Sequence, residues 1–103
     1  MTTVNNQKEL KAALDKGERF IKAGNKRMES ALSLIATWKG SVIEKVADKG
    51  VPGITAETIL AIGIAVAITC VGIAVLLNRR GEVVLKRTVD GDTVFEIRTE
   101  KGS

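Results

Sequence analysis

Residues 59–77 run without a single charged side chain, and any fold for this chain must bury that run or give it to lipid. As a helix, its about 19 positions at 1.5 Å each reach about 28 Å, close to the hydrocarbon thickness of a bilayer. Core helices seldom stay uncharged for this long, so a membrane-inserted helix is expected; the alternative is a helix buried in a soluble assembly. The segment is central in the sequence and lacks the charged start and small-residue cleavage site of a secretory signal.

The flanks of the run read as helix boundaries. Gly50-Val51-Pro52-Gly53 is the clearest breaker, because Pro52 pushes Val51 out of helical geometry, and it defines a hinge over 51–54. Thr55 offers a cap and Glu57 suits the first turn, so a helix is expected over 55–80 with its apolar span at 59–77. At the far end Arg79 and Arg80 suit both a helix terminus and a headgroup layer, where they are candidate membrane-interface residues.

Residues 1–50 read as an amphipathic helical region. Asn6 to Glu9 has the form of a capping box, followed by Leu10, Ala13 and Leu14 and a stop at Gly17. Residues 18–23 suggest a brief extended piece, and Gly24-Asn25 supplies a turn and the next cap. Met28, Ala31, Leu32, Ile35 and Trp38 then recur at helical spacing, with Val42, Ile43, Val46 and Ala47 following a break at Gly40. This stretch either lies on a bilayer with Trp38 near the headgroups or packs on a neighbouring element.

Beyond Gly81 the pattern changes to period two, and Asp90-Gly91-Asp92 between β-rich runs signals a hairpin over 81–98. A register pairing Lys86 with Glu96 and Leu85 with Ile97 separates a charged face from an apolar one. An isolated hairpin is marginal in water, so it should pack on something or pair with copies of itself. Residues 99–103 read as a disordered tail. The fold class expected is therefore mainly α with a small β element: N-terminal amphipathic helices, one long hydrophobic helix of transmembrane type, and a C-terminal β-hairpin.

At about 100° per residue, Gly63, Ala67, Cys70 and Ala74 fall on one narrow stripe of the long helix. Ala61, Ala65 and Gly72, with Thr69 beside them, fall on nearly the opposite side. Small stripes let helix backbones approach closely in lipid, and two opposed stripes let each helix hold a neighbour on either side. These eight residues are the candidate oligomer interface, and the chain itself is the expected partner, together with a lipid bilayer.

The chain has 103 residues, no His, one Cys and only Phe20, Trp38 and Phe95 as aromatics. That excludes disulfide scaffolds and Cys/His sites and leaves little for a binding pocket, so no enzyme activity, metal or cofactor is expected. Asp90 and Asp92 flank a turn glycine and are explained by turn chemistry. The formal charge of +4 is spread along the chain and favours anionic headgroups; the aromatic motifs of RNA readers are missing, and no nucleic-acid partner is expected. Arg79, Arg80, Lys86 and Arg87 slightly outweigh Lys39, Lys45 and Lys49 across the span, which leans the C-terminus toward the cytoplasm.

The stretch Lys8-Glu9-Leu10-Lys11-Ala12-Ala13-Leu14-Asp15-Lys16-Gly17-Glu18, followed by an amphipathic stretch, a Gly/Ala-rich apolar helix and a charged hairpin, resembles small bacterial glycine-zipper membrane proteins of uncharacterised role. The resemblance covers most of the chain as a layout and implies a bacterial or phage origin and self-association; with the apolar span, the expected location is a membrane, the bacterial inner membrane. The expected function is a self-assembling, single-span membrane protein forming a ring or array in a structural or interaction role. One alternative is a membrane-perturbing pore or a lysis or defence effector; a second is a soluble filament or ring with the apolar helix buried between subunits.

Overall fold

The computed structural model describes residues 1–81 and 83–99. Along the chain run β1 (Thr2–Val4), α1 (Gln7–Asp15), β2 (Phe20–Ala23), α2 (Lys26–Ile35), α3 (Gly40–Lys49), a 3-10 turn (Val51–Gly53), α4 (Ala56–Ile62), α5 (Ile64–Arg79), β3 (Val83–Asp90) and β4 (Asp92–Thr99). Local chemistry sets the helix starts. Asn6 accepts from the Glu9 amide at 2.9 Å, Asn25 from the Met28 amide at 2.9 Å, and Thr55 from the Thr58 amide at 3.3 Å. Each side-chain oxygen satisfies an amide that has no partner within its helix. The Glu9 carboxylate reaches back to the backbone amide of Asn5 at 2.8 Å, one residue earlier than the usual reciprocal partner.

The four strands form one mixed sheet in the order β1-β2-β4-β3. β1 and β2 are parallel, with α1 as the crossover between them, while β2–β4 and β4–β3 are antiparallel. The hairpin adopts the register that sets Lys86 opposite Glu96 and Leu85 opposite Ile97, with Gly91 at φ 78° at its tip. Its packing partner is β2, through Phe20–Glu96 and Ile21–Phe95 pairs. Val4, Ile21, Phe95, Leu85 and Val83 are buried beneath the helices, whereas Phe20 is exposed on the other face. The sheet thus has one covered face and one open face, as antiparallel sheets commonly do.

α5 is the hub of the helical layer. It packs on α1, α2 and α3 and touches β3. Each of α1, α2 and α3 has an apolar stripe that needs a partner: Leu10, Ala13 and Leu14; Met28, Ala31, Leu32 and Ile35; Ile43 and Val46. Ala67, Cys70, Ile73, Ala74, Leu76 and Leu77 of α5 are buried against them. A helix apolar on all sides is suited to this position, since neighbours cover it from several directions.

Two parts of the expected fold class are corrected. The single long hydrophobic helix is absent: α4 and α5 meet at Gly63 and are bent by 113°, and no single helix among the described residues is long and apolar enough to cross a membrane. With 16 residues, α5 extends only about 24 Å, short of the roughly 30 Å of a hydrocarbon core. Gly63 has φ 86° and ψ 157°, a region essentially closed to residues with a Cβ, so the glycine that helical spacing placed on a packing stripe is a corner instead. The β element is also larger than a hairpin, because Thr2–Val4 and Phe20–Ala23 complete a four-stranded sheet. Of the expected tail, Thr99 ends β4 and the remainder lies outside the described residues.

Candidate interaction surface

The two small-residue stripes divide between the interior and the surface. Ala67, Cys70 and Ala74 are fully buried inside the chain, and the Cys70 thiol points at the Ala31 carbonyl oxygen, 3.8 Å away. Their small size lets α5 approach α2 within one protomer, the same physics that was expected to join separate copies. Burial pushes the Cys70 thiol up to about 11. Gly72 admits α1: a Cβ there would lie 2.3 Å from Gln7 Oε1. The Thr69 hydroxyl donates to the Ala65 carbonyl at 3.0 Å within its own helix. Ala61, Gly63 and Ala65 remain exposed around the corner.

The expected membrane-interface residues are dispersed. Trp38, in the connection between α2 and α3, is half-buried and packs on the core. Arg79 is exposed at the end of α5. Arg80 is half-buried and pairs with Asp15, which also accepts from Lys11 Nζ at 2.9 Å. The Lys11 hydrogen bond first, and Arg80 second, hold the Asp15 carboxyl below its ordinary range. Beside this pair an open cleft of about 610 Å³ is lined by Leu14, Glu18, Arg19, Arg80, Val83 and Arg98, with Arg19 paired to Glu96 at 3.5 Å.

The most unusual surface is the α4–α5 corner. α4 has no buried residue, and Leu60 is 86% exposed, with Ile64 at 57% and Ile68 at 59%. Ile64 and Ile68 stand one turn apart on the same side of α5, with Leu60 across the bend. Together the three present about two full aliphatic side chains to solvent, worth roughly 3–6 kcal/mol if covered. Single exposed aliphatics are ordinary, but a contiguous uncharged set marks a contact surface. Helical spacing alone does not reveal this corner, since it sets Gly63 among the other small residues; its signal is a glycine eight residues after the Thr55 cap.

Comparison with family models, with curated proteins and with solved structures finds no match.

Proposed function

We propose that this protein docks on a membrane surface through the α4–α5 corner, as a peripheral protein with a structural or interaction role. The observation that carries the reading is the exposure of Leu60, Ile64 and Ile68 at a corner that the rest of the fold leaves uncovered, where Glu57 is the one charged residue of α4. Magnitude favours lipid over a protein partner. About 3–6 kcal/mol of apolar burial matches reversible anchoring of the kind one acyl chain provides. Two proteins must offset about 4–15 kcal/mol of lost rigid-body freedom, and they usually do so with 20–30 residues a side. The seven residues of α4 and the first turns of α5 fall short of that. The resemblance to small glycine-zipper membrane proteins points the same way.

Flotation with phospholipid vesicles tests the docking. The protein should float with vesicles, and Leu60→Ser with Ile64→Ser should abolish flotation while leaving the fold intact by circular dichroism. Undiminished flotation of that double variant would refute the reading. Release of an entrapped dye at the same protein concentration would assign a bilayer-perturbing role in place of a docking one.

Self-association on the membrane is a second reading, favoured by the exposure of Ala61, Gly63 and Ala65. Small residues on both arms of the bend allow close backbone approach once the corner is seated in lipid. Vesicle-dependent cross-linking that Ala61→Leu and Ala65→Leu remove is the expected result. Cross-linking unchanged by both would exclude this small-residue corner as the contact.

A further inference from the structure

A groove of about 370 Å³ separates the opening turns of α1 and α2 from the first turns of α5, beside the exposed corner. Met28, Ala65 and Ile68 are its apolar lining; Gln7, Arg27 and Thr69 are polar, and the Thr69 hydroxyl is already spent on Ala65. Arg27 is exposed, as are Lys26 beside it and Lys8 beside Gln7. None of these three cations makes an ion pair among the described residues.

The acids around them form no ion pair with them among the described residues. Glu9 is held by the Asn5 amide and side chain at 2.8 and 2.9 Å. Glu29 lies with Lys22 and Asp92 around a separate pocket at the hairpin tip, and Glu57 lies in the first turn of α4. The first turn of a helix favours acids and disfavours cations, so helix stability does not explain Lys8 in α1 or Lys26 and Arg27 in α2. Arg27 instead lines an apolar groove that shares Ile68 with the open corner, and Lys8 and Lys26 are the sequence neighbours of its Gln7 and Arg27.

We propose that this groove selects anionic phospholipid, with acyl chain against Ala65 and Ile68 and the phosphate against Arg27, while Lys8 and Lys26 add long-range attraction. The inference rests on the membrane docking proposed above. Charge decides between lipid and a second copy: a two-fold contact would bring a second Arg27 and the same excess of cations to the patch, whereas an anionic bilayer complements it.

The test is vesicle co-sedimentation of the full chain on phosphatidylcholine alone and on phosphatidylcholine with about one third phosphatidylglycerol, an anionic surface. The wild-type protein should bind the anionic vesicles at least about hundredfold more tightly than the neutral ones. The Lys8→Gln, Lys26→Gln, Arg27→Gln triple variant should lose about hundredfold on anionic vesicles, about fivefold for each cation at about 1 kcal/mol, and nothing on neutral ones. With wild-type protein, salt near 1 M, where the Debye length is about 3 Å, should remove the preference without any substitution. Equal wild-type binding to both vesicles would overturn the anionic selectivity and leave docking standing. Binding to neither would overturn the docking itself. A wild-type dimer in vesicle-free solution that the triple variant dissolves would assign the patch to a second copy and overturn the proposal.

Discussion

Ile73 and Leu60 sit in the same uncharged run, yet truncating them should have very different effects. Ile73 is fully buried on the face of α5 that α1, α2 and α3 cover, and Leu60 is 86% exposed on α4. Ile73→Ala removes three buried carbons and leaves a cavity in a packed interior, at a cost of about 2–5 kcal/mol. Against a total stability of about 5–15 kcal/mol for a domain, that is a large fraction. Leu60→Ala loses almost no burial and keeps a good helix former, so its effect should stay within about 0.5 kcal/mol. In detergent-free urea denaturation with a slope of about 1.5 kcal/mol per M, the midpoint should fall by roughly 1.5–3 M for Ile73→Ala and by no more than about 0.3 M for Leu60→Ala. Equal shifts for the two variants, or a change below about 1 kcal/mol for Ile73→Ala, would refute the assignment of α5 to this chain's own core.

Gly63→Ala meets no neighbouring atom within 4 Å, so its whole effect is on the backbone, where a Cβ at φ 86° and ψ 157° should cost about 1–3 kcal/mol; a urea midpoint unchanged from wild type would mean the corner is not formed by this residue. Cys70, buried and with its thiol raised to about 11, should resist alkylation at pH 8 until denaturant is added; rapid labelling of the native protein would contradict the packing of α5. The Asp15 carboxyl is lowered in the folded state by Lys11 and then Arg80, so its contribution is present above its ordinary pKa and is lost as pH falls through the lower folded value. The stability gap between wild type and Asp15→Asn should therefore be open at pH 7, begin to narrow near the ordinary carboxyl value of about 4 and close only as pH falls through the lower folded value; a gap independent of pH would rule out the ion pairs as its cause.

Much of the local structure was legible from residues with one strong preference. Asn6 and Asn25 cap the helices they were expected to cap, Thr55 caps the short α4 in place of a helix over 55–80, and Gly17 and Gly50 end the helices before them. Asp90-Gly91-Asp92 turns the hairpin in the expected register. The failures concern context. An apolar run bounded by a cap and two arginines has the same pattern whether lipid or protein surrounds it. What distinguishes the cases here is the apolar stripes of α1, α2 and α3, which need a common partner and find it in α5. β1 escaped notice because three residues are too few to show alternation, and Thr2-Thr3-Val4 offers only β-branching as a signal. Of the two stripes, Ala67, Cys70, Ala74 and Gly72 pack closely inside the chain, whereas Gly63 is the corner and Ala61 and Ala65 are exposed on either side of it; helical geometry alone does not say whether a partner helix belongs to the same chain.

Hydrogen exchange, with and without anionic vesicles, is the most direct test of an α5 core carrying an open α4 corner. In solution the amides of α5 from Ala67 onward should exchange only by global unfolding, while those of α4 exchange through local opening. Vesicles should slow α4 and the first turn of α5 and leave the rest of α5 unchanged. If α5 is protected only when lipid is present, or α4 is as protected as α5 without it, the apolar helix does not belong to the core of this fold and the account fails.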